Sequence, residues 1–145
     1  MECEYIYQKP PKSTGRGEFG SYMVKKIIQE NPHIITEDLL RTFCAFTAKS
    51  IAVNLKNILN INDLNHRLIV SGGGVYHPVI IDDIRKNVKI ANVKTSDNYG
   101  IESKMKESLL MAVLAVARMQ NLPSNMPSVS GATRQTVLGD IFESN

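Results

Sequence analysis

Three consecutive glycines, Gly72, Gly73 and Gly74, follow the apolar run Leu68-Ile69-Val70 and Ser71, and precede Pro78 and an apolar pattern of Val79, Ile80 and Ile84. A β-branched and leucine run, a glycine cluster and apolar residues at helical spacing read as strand, turn and helix. Glycines at the carboxyl end of a strand leave backbone N–H groups uncovered beside a helix N-terminus, where phosphate-bearing ligands often sit. The same letters also describe an ordinary turn, so the stretch by itself leaves both readings open.

The residues beyond this helix decide the fold class. Val88 to Val93 alternates as a second strand and leads into the polar turn Thr95-Ser96-Asp97-Asn98-Tyr99-Gly100. Strand, helix and strand with a short return form a βαβ unit, which is parallel and right-handed in nearly all cases. The class is therefore α/β, one domain over residues 1–145, with ligands expected outside the carboxyl ends of the strands. The two polar loops, Ser71 to Gly74 and Thr95 to Gly100, then share one edge. Asp82 and Asp83 lie in the intervening helix, where a solvated face is expected.

Three helical patterns complete the body. Phe19, Met23, Val24, Ile27 and Ile28 recur at three- and four-residue spacings up to Asn31-Pro32. A longer helix starts at Thr36, a capping residue followed by Glu37 and Asp38, and runs to about Leu59. Its stripe of Leu40, Cys44, Ala48, Ile51, Ala52, Leu55 and Leu59 spans about 30 Å at 1.5 Å per residue, and Asn60-Ile61-Asn62-Asp63 breaks it. A third helix, capped by Ser103, reaches about Gln120, and from Leu109 onward its apolar side chains surround the axis, which predicts burial. Glu107 shares a face with Met111, Leu114 and Arg118; it is either a first-turn glutamate in water or a ligand-binding group at the mouth of a cleft.

The ends are less regular. Tyr5-Ile6-Tyr7 alternates as a short edge strand, and Lys9-Pro10-Pro11-Lys12-Ser13-Thr14-Gly15-Arg16 is an extended loop. The letters KSTG do not make a phosphate loop, because prolines occupy the positions where that motif needs its approach. Lys12, Ser13, Thr14 and Arg16 still place hydroxyls and two cations within five residues, so either a solvated loop or an anion contact fits. Residues 121–145 suggest no regular element; Val129, Val137, Leu138, Ile141 and Phe142 favour an ordered loop packed on the body over a disordered tail.

Composition removes several classes. Lys and Arg number 17 against 14 Asp and Glu, the only adjacent basic pairs are Lys25-Lys26 and Arg85-Lys86, and tryptophan is absent. Scattered cations and few aromatic rings argue against nucleic acid. Cys3 and Cys44 have no Cys-x-x-Cys partner, and His33, His66 and His77 have no paired spacing, so neither a disulfide framework nor a metal site is expected. Cys44, among Phe43, Ala45 and Phe46, reads as core. With no signal-like start and no 18-residue apolar run, a soluble cytoplasmic protein is expected. No general base or nucleophile pattern stands out.

Five blocks taken together resemble a known family. Lys9 to Arg16 with Phe19, Val70 to Gly74 with Pro78, Thr95 to Ile101, Lys106-Glu107, and Leu122 to Ala132 with Leu138-Gly139 are similar, in order, to the C-terminal part of anhydro-N-acetylmuramic acid kinases. The resemblance implies the C-terminal lobe of an actin-like, ribonuclease H-like sugar-kinase fold, with few strands flanked by long helices. It implies an ATP- and Mg2+-dependent enzyme that hydrolytically opens 1,6-anhydro-N-acetylmuramic acid and phosphorylates O6 in peptidoglycan recycling. On this likeness Gly72, Gly73 and Gly74 would bind nucleotide, Glu107 would reach the sugar, and Lys12, Ser13, Thr14, Arg16 and Asp97 would line the cleft.

The family is more than twice this length, and its N-terminal lobe, with the catalytic aspartate, has no counterpart here. The chain by itself is then expected to be inactive, with the missing lobe as a separate chain, or a second copy of itself, as partner. The alternative is a non-catalytic module that self-associates. Gly17 stands where an acidic residue commonly follows the arginine, and His77 where asparagine commonly precedes the proline.

Overall fold

A computed structural model describes residues 4–59, 66–88, 90 and 92–143. Cys3, the expected breaker Asn60 to Asp63, and Lys89 and Ala91 of the expected second strand lie outside them. In chain order come α1 (Glu4–Tyr7), α2 (Arg16–Phe19), α3 (Ser21–Glu30), α4 (Thr36–Leu59), β1 (Arg67–Val70), α5 (Pro78–Asn87), β2 (Asn92–Thr95), α6 (Lys106–Met119) and α7 (Pro127–Ser130), with 3-10 turns at Gly73–Tyr76, Ser96–Tyr99 and Ser103–Met105. The strands pair in parallel with Arg67 opposite Asn92 and Val70 opposite Thr95. The expected βαβ unit is therefore present, and both post-strand loops open at one edge.

The core forms where α4 and α5 meet the sheet. Ala48, Ile81, Ile84, Val88 and Ile90 are buried, with Ile51, Ala52, Leu55, Leu68, Val70 and Val93 packed around them. Ala48 is fully buried, so its methyl group sets how closely α4 approaches α5. The apolar stripe on α4 thus serves the core in its middle turns, whereas Leu40 is exposed and Cys44 is half-buried rather than core. At the N-terminal end, Tyr5 meets Phe19 edge-on and Phe19 meets Phe46 at a tilt, with ring centroids 5.8 and 6.0 Å apart, and the three rings fasten α1 and α2 to α4.

Several sequence expectations are corrected. Tyr5-Ile6-Tyr7 is helical, not an edge strand, because the single turn buries Ile6 and its Tyr5 carbonyl accepts the Gln8 N–H at 3.2 Å. The helix expected from Phe19 breaks at Gly20, where a Cβ would lie 2.0 Å from the Arg16 carbonyl oxygen, so only glycine permits that approach. The second strand starts at Asn92 rather than Val88, because the Val88 N–H is taken by the Ile84 carbonyl at the end of α5.

The aspartate pair also divides. Asp82 faces solvent, but Asp83 is buried and accepts two hydrogen bonds from the Arg41 guanidinium, at 2.5 and 2.9 Å. A carboxylate inside the α4–α5 contact is tolerated because a planar fork meets both of its oxygens. Residues 121–143 include the short helix α7 and touch the body at a few points, where Arg118 donates to the Gly139 carbonyl and a Cβ at Gly131 would meet Pro11; the expected apolar packing is not made, because Val129, Leu138, Ile141 and Phe142 are exposed and only Val137 is half-buried.

The largest departure is α6. Leu109, Leu110, Met111, Val113 and Val116 are between 47% and 59% exposed, so the all-round apolar helix is not buried by the described residues. Among the described residues, no helix is long and apolar enough to cross a membrane.

Candidate functional site

The site is assembled at the carboxyl edge of the two strands. After Val70, Gly72 adopts φ 95° and ψ 173°, a region that only glycine occupies readily. The chain then enters the 3-10 turn Gly73–Tyr76, in which Val75 N–H bonds the Gly72 carbonyl and His77 N–H the Gly74 carbonyl. The first N–H groups of such a turn, those of Gly73 and Gly74, have no carbonyl within the turn to bond. A Cβ on either glycine would meet nothing within 4 Å. The two N–H groups are left without a partner inside the turn, and neither residue carries a side chain beside its own, which suits the oxygens of a phosphate chain. His77 starts α5 without a side-chain cap.

The loop after β2 holds the glycine turn from the side. Asp97 Oδ1 accepts Ser103 N–H at 3.1 Å and Oδ2 accepts the Ser103 hydroxyl at 2.5 Å, while Tyr76 Oη lies 3.4 Å from Oδ1. The Ser103 carbonyl in turn accepts Gly72 N–H at 3.2 Å. Hydrogen bonds from the Ser103 hydroxyl and then its N–H hold the Asp97 carboxyl well below the usual carboxylate range. Partial desolvation, and then the Asp97 charge, push the Tyr76 phenol up. Lys104 Nζ sits 5.2 Å from the centre of the Tyr76 ring.

Ser103, expected as a cap for the third helix, is instead buried and engaged by Asp97 and by Ser96, whose hydroxyl lies 2.9 Å away. Its part in the site and that of Tyr76 were not read from the sequence. The available signal was an aromatic residue two positions beyond the glycines and a serine six beyond Asp97 across Gly100. Glu107 occupies the first turn of α6, exposed, four residues after Ser103.

The N-terminal loop is organised around itself. Lys12 Nζ donates to the Tyr5 and Ile6 carbonyls at 3.2 and 3.1 Å and lies over the Tyr5 ring. It closes the end of α1. Thr14 Oγ1 and Gly15 N–H donate to the Glu18 carboxylate, which these bonds, the Thr14 hydroxyl foremost, hold below its ordinary pKa. Ser13 and Arg16 are exposed, and their side chains make no hydrogen bond among the described residues. A cleft of about 610 Å³ between this segment and α4, lined by Tyr7, Gln8, Lys9, Pro10, Asn54 and Asn57, is separate from the glycine turn. No group of three or more His, Cys, Asp or Glu that could hold a metal occurs among the described residues.

Residues 1–144 match the family model for anhydro-N-acetylmuramic acid kinase. The chain belongs to the anhydro-N-acetylmuramic acid kinase family. It is 34% identical over 142 residues to the anhydro-N-acetylmuramic acid kinase of Synechococcus elongatus, covering 98% of this chain and 37% of that protein. The kinase of Clostridioides difficile is 35% identical, with 97% and 37% covered, and that of Mannheimia succiniciproducens 37% identical, with 95% and 38% covered. The chain thus spans little more than a third of the length of the curated relatives it matches. Membership makes the mixed α/β body with its parallel strand pair part of a kinase family's fold.

Proposed function

We propose that this chain is the C-terminal, nucleotide-binding part of an ATP-dependent kinase that opens and phosphorylates 1,6-anhydro-N-acetylmuramic acid. The observation that carries the reading is the open glycine turn at the carboxyl edge of the parallel pair, in a chain that matches the kinase family throughout. Phosphoryl transfer is achieved mainly by positioning and charge stabilisation, so a backbone cradle for the phosphates is a working part of such an enzyme. Gly72 shapes the turn, and Gly73 and Gly74 offer their N–H groups to the nucleotide. Bound ATP with Mg2+ would supply the phosphoryl group. Glu107, at the N-terminal turn of α6, contacts the sugar. Ser13 and Arg16 line the cleft from the other side.

The partner in this reading is the remainder of the kinase fold, including the lobe that carries the general base, and its surface covers α6. A second reading, a non-catalytic module that associates with itself, draws on the same exposed α6 residues.

Amide spectra recorded during a titration with MgATP test the nucleotide assignment. Saturable shifts centred on Gly72, Gly73 and Gly74 are expected, and their absence at millimolar nucleotide would overturn the assignment. Mass measurement by light scattering separates the second reading, which requires dimers or larger species that persist on dilution.

A further inference from the structure

The two loops at the strand edge are joined by one carboxylate, and this gives Asp97 a specific task. Asp97 stands at an exposed position, yet both of its oxygens are engaged within the chain: Oδ1 takes the Ser103 N–H and lies near the Tyr76 hydroxyl, and Oδ2 takes the Ser103 hydroxyl. An ionised carboxylate only accepts, so the Ser103 hydroxyl proton points to Asp97 and the neighbouring Ser96 hydroxyl must donate to Ser103 Oγ. Ser103 is 1% exposed and cannot turn to water instead. Its carbonyl takes the N–H of Gly72, the residue whose unusual backbone angles aim the turn. Tyr76, at the far end of the turn, is approached by Asp97 and by Lys104.

We propose that Asp97 is a positioning residue that clamps the glycine turn at both ends, through Ser103 to Gly72 and through Tyr76, rather than a group that touches nucleotide or metal. The proposal rests on the nucleotide reading of the turn for its functional consequence, and on the hydrogen-bond geometry alone for the clamp. The depressed proton affinity of Asp97 agrees with a carboxylate whose charge is satisfied within the chain.

The test pairs two measurements on the full chain and on Asp97→Asn, Asp97→Glu and Ser103→Ala. Amide hydrogen exchange reads the clamp without any ligand. In Asp97→Asn, exchange at Gly72, and at Val75 and Tyr76 beyond it, accelerates roughly tenfold, the scale of losing a charge-assisted hydrogen bond, while Ile81 and Ile84 in the core keep their protection. Ser103→Ala gives the same pattern, and Asp97→Glu, which keeps the charge on a longer arm, recovers part of the protection.

Nucleotide affinity is then measured with ADP in chelator and with MgATP. A clamp lowers both by the same factor, roughly tenfold. A metal ligand would lower only the MgATP affinity and leave Gly72 exchange unchanged, and that result overturns the proposal. Unchanged exchange at Gly72 in Asp97→Asn overturns it equally, whatever the nucleotide does. If the unsubstituted chain binds neither nucleotide, the nucleotide reading of the turn falls, and the exchange experiment still decides whether Asp97 holds the loop.

Discussion

Asp83 and Asp97 show how differently two carboxylates behave in one small fold. Asp83 is buried against Arg41, whose own side chain is about half exposed, and the pair fixes α4 against α5. Arg41→Ala leaves that carboxylate buried without its partner, and urea unfolding should show a loss of about 1–3 kcal/mol. The sequence placed both members of the Asp82-Asp83 pair in solvent, because a helical pattern cannot tell which of two adjacent aspartates an arginine 42 residues earlier will reach. Asp97 is held charged by bonds that exist only in the fold, so the folded state releases its proton more readily than the unfolded chain. Its stabilising contribution is therefore complete above the ordinary carboxylate pKa of about 3.9 and is lost only as pH falls through the lower folded value. Protection of the Gly72 amide should accordingly be unchanged from neutral pH to about pH 5 once the intrinsic exchange rate is allowed for. Loss of that protection near pH 6 would contradict the assignment.

At the scale of elements, the glycine turn separates two kinds of glycine. Gly72 has a backbone that an alanine resists, so Gly72→Ala should cost about 1–3 kcal/mol in stability, measured by thermal or urea unfolding. Gly73 and Gly74 have no such strain and open space around them, so alanine there should leave stability within about 1 kcal/mol while placing methyl groups over the N–H donors and weakening nucleotide binding. Ile84→Ala, in the α4–α5 core, should cost about 2–4 kcal/mol. The parallel strand pair, the long helix with its bounds at Thr36 and Leu59, and the shared edge of the two loops were legible because each rests on local periodicity and on the handedness of the βαβ unit. The helical turn of α1, the break at Gly20 and the late start of β2 were not, since each depends on where a single carbonyl lies. The clamp from Asp97 through Ser103 to Gly72 was hidden for the same reason. The block containing Asp97 was recognisable, but its side chain's destination was not.

For the whole molecule, the matter turns on α6. A pattern that predicts burial on every side is here left open by the described residues, with Met111 and Val113 each more than half exposed. Burying apolar area contributes about 25 cal/mol per Å², so a face of this kind favours association with a matching surface. In a chain matching little more than a third of its relatives' length, the remainder of the kinase fold supplies that surface in the proposed assembly. Replacing Leu110 and Val113 together by glutamate should reduce any self-association seen by light scattering without lowering the unfolding midpoint greatly, because neither side chain belongs to the core. In the proposed reading this chain does the work of the matching third of an anhydro-N-acetylmuramic acid kinase. It is tested most directly by substituting the chain for that third in the Clostridioides difficile relative, confirming that the chimera folds cooperatively, and measuring phosphate transfer from ATP to 1,6-anhydro-N-acetylmuramic acid. Transfer is expected, and it should be lost when Gly73 and Gly74 are both replaced by valine. A folded chimera with no transfer, or one indifferent to those two glycines, would contradict the reading.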